Sequence, residues 1–216
     1  MRPFCKGPIL GLVPARGGSK RLPGKNITKF PLHTGYGSQR PLLDYTLKAA
    51  REAPSITHVV VSSEDQGILA TAEDYDSEVV GLKRPDELAS DHADSVDVVL
   101  HALDHFEQEG LHFLWVVLLQ PTSPLRSPAD IELCLQLAKI GHGGGVVSIN
   151  AVTGDRNGAV YVATPAQLRE APTMGDPWTW DETTKYPMPP ERSVDIDNEG
   201  DLRLASWLYI QGRGGR

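Results

Sequence analysis

Short, β-branched apolar runs alternate with amphipathic helical stretches about six times along this chain, and that alternation specifies a mostly parallel sheet with helices on both faces. Ile9 to Val13, Thr57 to Val61, Glu78 to Leu82, Phe113 to Leu119, Val146 to Ile149 and Ala159 to Ala163 read as strands. Phe113 to Leu119 is the most apolar and is expected at the centre of the sheet. Leu42 to Arg51, Asp65 to Tyr75, Ser95 to Glu109, Pro128 to Ile140 and Asp201 to Ile210 read as helices. Leu43, Leu47 and Ala50 share one helical face, and Val96, Val99, Leu103 and Phe106 share another. Pro128 suits a first turn, where its missing N–H costs nothing. In an α/β fold of this class ligands bind at the carboxyl edge of the sheet, so the segments that follow strands are where chemistry is sought.

The segment after the first strand is the most unusual. Pro14 to Asn26 holds three glycines, the four cations Arg16, Lys20, Arg21 and Lys25, and no acid. Glycines let backbone N–H groups approach an anion, and Arg16, Lys20 and Lys25 supply charge for a polyphosphate. A Walker A loop needs four residues between its glycines and then Lys-Ser/Thr. Here five residues lie between Gly18 and Gly24 and Lys25 precedes Asn26, so this is a phosphate loop of another kind, or else a solvated basic loop.

Charge is divided along the chain in the same sense. The 216 residues carry a net charge of -7, yet no Asp or Glu occurs before Asp44. An acid-free neighbourhood would keep carboxylates from repelling a nucleotide at the loop. Aromatic residues do not interleave with the cations and the chain is acidic as a whole, which argues against nucleic acid as a partner. Length suggests a single domain over residues 1–210, with 211–216 a disordered tail. No apolar run is long enough to span a membrane. Ile9 to Val13 reads as a buried strand, its alternative being the core of a signal peptide. Cys5 and Cys134 form no motif, and a reducing cytoplasm is the simplest location.

Two further clusters bear on chemistry. Asp195 and Asp197 are spaced so that an extended backbone puts both carboxylates on one face. Such a pair suits Mg²⁺, which takes one or two carboxylates plus water and phosphate oxygens; the competing reading is a helix N-cap with surface acids. Gln120, Thr122, Ser123 and Arg126 follow the most apolar run and belong at the sheet's carboxyl edge, unless they serve turn geometry alone. His101 and His105 lie four apart on a helix, but Ala102 stands where a zinc protease has glutamate, so a solvated face is expected.

The loop from Pro14 to Asn26 resembles the nucleotide loop of the acylneuraminate cytidylyltransferases, the enzymes that make CMP-sialic acid and related CMP-nonulosonates. Five later blocks continue the resemblance in order. They are Val61-Ser62-Ser63-Glu64; Arg84-Pro85 through Leu88-Ala89-Ser90-Asp91 to Ser95; Leu118 through Gln120-Pro121-Thr122-Ser123-Pro124-Leu125-Arg126; Asn157-Gly158-Ala159-Val160-Tyr161; and Ser193-Val194-Asp195-Ile196-Asp197. The ketodeoxyoctonate cytidylyltransferases share the fold but lack the Lys25-Asn26 pairing.

The resemblance implies a Rossmann-like nucleotide-diphospho-sugar transferase fold. It implies transfer of CMP from CTP to the anomeric hydroxyl of a 2-keto sugar acid with Mg²⁺, so the partners are CTP and a small acidic acceptor. Ala15, Arg16, Gly17, Gly18, Ser19, Lys20, Lys25 and Asn26 would hold the nucleotide, Lys20 meeting the α-phosphate. Arg84 and Ser95 would lie around cytosine and ribose, with Arg84 as an ordinary surface arginine the alternative. Gln120 and Thr122 would face the acceptor, Arg156 its carboxylate, and Tyr161 either its pocket or the core. Arg16, Lys20 and Asp197 are the implied catalytic groups, and Asp195 and Asp197 the metal ligands.

The chain departs from the family in two places. Only seven residues separate Ile149 from Asn157, where relatives insert the extension that builds their dimer and completes the acceptor site. A homo-oligomer of the usual form is therefore in doubt. The same CTP chemistry on a non-sugar acceptor such as a phosphonate, or a non-catalytic CTP-binding module, stands as the alternative. Leu32 to Arg40 is also unlike the short turn of relatives and could meet a ligand or partner.

Overall fold

A computed structural model describes residues 7–32, 39–90, 93–141 and 144–212. Most of the Leu32 to Arg40 stretch, part of the glycine run at 141–145, Cys5 and the end of the tail lie outside the described residues.

The strands in chain order are β1 (Ile9–Pro14), β2 (Lys29–Phe30), β3 (Arg40–Pro41), β4 (His58–Ser63), β5 (Val79–Lys83), β6 (Trp115–Leu118), β7 (Val146–Asn150), β8 (Arg156–Ala163) and β9 (Thr184–Met188). The helices are α1 (Leu42–Arg51), α2 (Gln66–Tyr75), α3 (Ser95–Gln108), α4 (Pro128–Ile140), α5 (Pro165–Met174) and α6 (Glu199–Ile210). Seven strands form one sheet in the order β5-β4-β1-β6-β8-β7-β9, and β2 pairs with β3 apart from it. β6, the most apolar run, is the middle strand. Leu12 stands opposite Val60 of β4 on one side and Leu118 of β6 on the other, in parallel register. β8 runs antiparallel to β6 and β7.

Side chains alternate across the sheet, as the pleat requires. Val13, Val59, Val61, Val117 and Val160 pack on one face beneath Leu43 and Leu47 of α1, Ile68 of α2 and Ile131 of α4. Leu10, Leu12, Val60, Val116 and Leu118 pack on the other beneath Val99 and Leu103 of α3 and Leu168 of α5. A third cluster seats α6 through Leu202, Ala205 and Leu208 against Phe30, Leu42 and Leu125. Ser127 and Asp130 close a capping box at the start of α4, with Pro128 in its first turn.

Helix α5 and strand β9 were not expected from the sequence. Pro172 lies inside α5 and only Gln167, Leu168 and Ala171 are buried there, so its amphipathic signal is short. β9 is an edge strand carrying Pro187, a residue that only an edge accommodates. The strand beginning at Ala159 starts earlier, at Arg156, and α6 starts at Glu199 rather than Asp201. Only residues 151–155 connect β7 to β8, and they form a tight turn. Among the described residues no helix is long and apolar enough to cross a membrane.

Candidate active site

Strands β1, β4, β5 and β6 are mutually parallel and end on one edge, and the segments leaving them converge there. They enclose a cavity of about 310 Å³ lined by Arg16, Ser19, Lys25 and Asn26 of the basic loop, Arg84 after β5, and Ser95 at the start of α3. Gln120 and Thr122 after β6 and the pair Asp195 and Asp197 complete its wall. Ten residues singled out in the sequence thus meet in one place. Lys20 is exposed and does not line this cavity. Ala15 is buried behind the loop, Gly17 is partly covered and Gly18 is exposed.

Hydrogen bonds explain how the loop keeps its shape. Asn26 is buried and its Nδ2 donates to the Arg16 carbonyl at 2.9 Å, while its Oδ1 has no protein partner. Lys25 Nζ donates to the Ile196 carbonyl at 2.7 Å and lies 3.4 Å from Asp197 Oδ1, which ties the loop to the aspartate segment. Arg21 reaches the other oxygen of Asp197 at 3.2 Å. The amides of Ala15, Gly17 and Ser19 donate to Ser62, Glu64 and Gly17 oxygens. The loop therefore presents fewer amides to an anion than its glycines lead one to expect.

The acid-free neighbourhood expected from the first 43 residues does not exist in space. Glu64, directly after β4, accepts the Gly17 N–H at 2.7 Å through one oxygen. Its other oxygen accepts from Arg84 Nη2 at 2.9 Å and Nε at 3.2 Å. Arg84 is 4% exposed, so the reading of it as a surface arginine is excluded. Glu64 was not recognised as a site residue; a carboxylate ending the second strand was the available signal.

The cap of α6 is Asn198, boxed with Asp201, so neither Asp195 nor Asp197 serves as a helix cap. Burial holds the Asp195 carboxyl above the usual carboxylate range, with the Thr122 hydroxyl bonding to it and opposing the shift. Asp195 Oδ1 is buried without a hydrogen-bond partner. Two hard oxygen donors, one of them orphaned, fit a divalent cation. No group of three or more potential metal-binding side chains occurs among the described residues, so phosphate oxygens and water would have to complete the shell.

Behind the wall lies Arg126, 1% exposed. Its Nη1 donates to Thr46 Oγ1 at 2.8 Å and its Nη2 to the Gln120 carbonyl, which fixes the turn after β6. Desolvation lowers its pKa to about 9.

A second cavity of about 280 Å³ adjoins the first and shares Ser95 and Gln120 with it. Asp94, Leu118, Arg156, Tyr161, Asp176 and Trp178 also line the second. Tyr161 lines this cavity and packs edge-on against Trp178, ring centres 5.2 Å apart. His101 and His105 line neither cavity. His105 pairs with Glu109, while His101 Nδ1 is buried without a partner, so that face is less solvated than expected.

Residues 10–160 match the family model described as cytidylyltransferase. The chain is 37% identical over 145 residues to the CMP-N,N'-diacetyllegionaminic acid synthase of Legionella pneumophila, covering 67% of this chain and 59% of that protein. It is 36% identical over 129 residues to an N-acylneuraminate cytidylyltransferase of Escherichia coli, 60% of this chain and 28% of that protein. It is 34% identical over 116 residues to a pseudaminic acid cytidylyltransferase of Campylobacter jejuni, 54% of this chain and 47% of that protein. The chain thus spans 59% or less of the length of these relatives. The structure of a CMP:2-keto-3-deoxy-manno-octonic acid synthetase complexed with CTP superposes with a TM-score of 0.70 at 14% identity, covering 95% of this chain and 100% of that one. Rv0371c of Mycobacterium tuberculosis, in complex with manganese, superposes with a TM-score of 0.60 at 18% identity, covering 93% and 98%. At such identities the likeness establishes the shared fold.

Proposed function

The chain belongs to the cytidylyltransferase family, and from that premise we propose that it transfers CMP from CTP to the anomeric hydroxyl of a sialic-acid-like 2-keto sugar acid, releasing pyrophosphate. The reading rests on one juxtaposition: a cavity walled by the basic loop, Arg84 and the two aspartates opens at Gln120 onto a second cavity holding Arg156. The first has the cations and carboxylates a nucleoside triphosphate requires, and the second has one cation for an acid. The named activities of the sequence relatives support the choice of a nonulosonic acid.

In the reaction the acceptor oxygen bonds to the α-phosphorus, the bond from that phosphorus to the β-phosphate oxygen breaks, and the hydroxyl proton leaves. The chain's task is to align these atoms and to offset the charge that develops on phosphate. Arg16 and Lys25 line the cavity and hold the phosphates, with Lys20 reaching from the same loop. Arg84 and Ser95 bound the nucleoside end. Gln120 stands between the cavities, where donor and acceptor must meet. Asp195 and Asp197 would hold Mg²⁺, which neutralises phosphate charge and favours deprotonation of the attacking hydroxyl when bound.

The test crosses four nucleoside triphosphates with sialic, legionaminic and pseudaminic acids and a phosphonate, and follows pyrophosphate. CTP with a nonulosonic acid is expected to react, and Asp197→Ala to lose roughly 100-fold or more. Turnover with the phosphonate alone would replace the acceptor, and no pyrophosphate from any pairing would refute the reading.

A further inference from the structure

Resting on that reading, we propose that Asp176 sets the charge class of the acceptor: the second cavity admits an acid with one anionic group and neutral hydrogen-bond donors, and turns away an acceptor carrying a further anionic group. Arg156 is the only cation lining that cavity among the described residues, and it faces two carboxylates, Asp94 and Asp176. Arg156 Nη1 donates to Asp176 Oδ2 at 2.7 Å. An incoming carboxylate therefore finds a guanidinium already shared. The remaining N–H groups of the guanidinium can still receive it, because Arg offers five donors. A second anion finds no cation and meets two like charges.

The position of Asp176 is built rather than incidental. Its Oδ1 accepts the Trp178 N–H at 2.9 Å, and its carbonyl accepts the Thr179 hydroxyl at 2.7 Å. Trp178 is 4% exposed and its Nε1 donates to the Val162 carbonyl in β8 at 3.3 Å. The carboxylate is thus anchored to the sheet through a short turn, with the indole and Tyr161 closing the wall beside it. Free lone pairs on Asp176 and Asp94 are acceptors for hydroxyl or amide donors, which an uncharged polyol chain supplies. Asp176 acts as a specificity residue here, not as a participant in phosphoryl transfer.

Asp176→Asn removes one charge and keeps an oxygen for the Trp178 N–H. The experiment measures kcat/KM for pyrophosphate release at saturating CTP, with N-acetylneuraminate and with its 9-phosphate, on wild type and variant. The preference of the wild type for the parent acid is expected to shrink about tenfold in the variant, the effect of a unit charge acting over roughly 6 Å at an effective dielectric of about 40. KM for CTP is expected to stay unchanged. An unaltered preference, or an equal loss on both acceptors, overturns the proposal. If the wild type releases no pyrophosphate with either acid, the assigned reaction fails. The same two ligands, titrated calorimetrically onto both proteins, then decide the charge preference on their own: a narrowed affinity ratio in the variant supports it, and an unchanged ratio overturns it.

Discussion

Substituting Gly158 by alanine adds one methyl group against Gln120, a residue both cavities share, and the structure sets the size of two separate effects. Gly158 has a φ of +70°. An added Cβ would lie 2.5 Å from Gln120 Oε1, 3.0 Å from Ser123 Oγ and 3.5 Å from Asp195 Oδ2. The left-handed backbone costs a non-glycine residue about 1–2 kcal/mol, and the stiffer unfolded chain returns about 0.4–1 kcal/mol. Net destabilisation is on the order of 1 kcal/mol, a fall in Tm of about 2–4 °C for a chain of this size. The catalytic effect is larger. Gln120 Oε1 must retreat by about 1 Å to reach ordinary contact distance, and a misplacement of that size costs roughly 100-fold in rate. Thermal melting and steady-state pyrophosphate release measure the two effects. Gly110→Ala is the control, because Gly110 has a φ of +82° with nothing within 4 Å of its added Cβ. It should show the loss of Tm that the backbone strain alone causes, no larger than that of Gly158→Ala, with wild-type turnover. A Gly158→Ala protein whose kcat/KM stays within about threefold of wild type would refute the assignment of Gln120 to the reaction, since a displacement of about 1 Å at a reacting centre is not tolerated so cheaply.

Glu64→Gln keeps the side-chain shape but leaves one oxygen to serve both Gly17 and Arg84; KM for CTP should rise about tenfold, as for a lost charge-assisted hydrogen bond, with acceptor KM unchanged. An unchanged CTP KM would show that Glu64 does not position the nucleotide wall. Asp44 is buried with an unpartnered Oδ1, and burial raises its pKa from 3.8 to about 6. The native state therefore binds this proton more tightly than the unfolded state, and stability falls as pH rises from about 4 to 6. Asp44→Asn should melt higher than wild type at pH 7 and lose that slope; parallel pH–Tm curves would refute it. Chelation of divalent cations should weaken CTP binding measured by calorimetry, and affinity indifferent to chelator would exclude a metal at Asp195 and Asp197.

The sheet was legible because buried strands are written as contiguous apolar runs. β1, β4 and β6 fall where Ile9, Val59 and Val116 announce them, and α1 and α4 match their expected limits. α5 and β9 were not legible, because a proline interrupts each and few of their residues are buried. The site divides in the same way. The loop, Arg84, Gln120 and the aspartates were readable as short local patterns of residue types. The Glu64 bridge and the Asp176 partner of Arg156 were not, since they join residues 47 and 20 positions apart that carry no shared pattern. Nor can a run of cations reveal which of them turns inward: Arg16 and Lys25 line the cavity, and Lys20, in the same run, does not.

The charge asymmetry of the sequence acquires a different meaning once folded. Among the described residues three cations, Arg16, Lys25 and Arg84, line the first cavity together with two carboxylates, Asp195 and Asp197, and Glu64 is bonded to Arg84. The acid-free opening segment is thus met by Glu64 from the end of β4 and by Asp195 and Asp197 from the segment before α6, and the lining as a whole is close to neutral. A triphosphate brings several negative charges, far more than such a lining can offset by side chains alone. The carboxylates are not wasted in this arrangement. Asp197 holds Lys25 and Arg21 in place, which lowers the rotamer entropy lost when an anion is bound. On the proposed reading the carboxylates would also convert the cavity from a site for any polyanion into one for an anion that arrives with a divalent cation, because a cation reconciles the aspartates with phosphate oxygens.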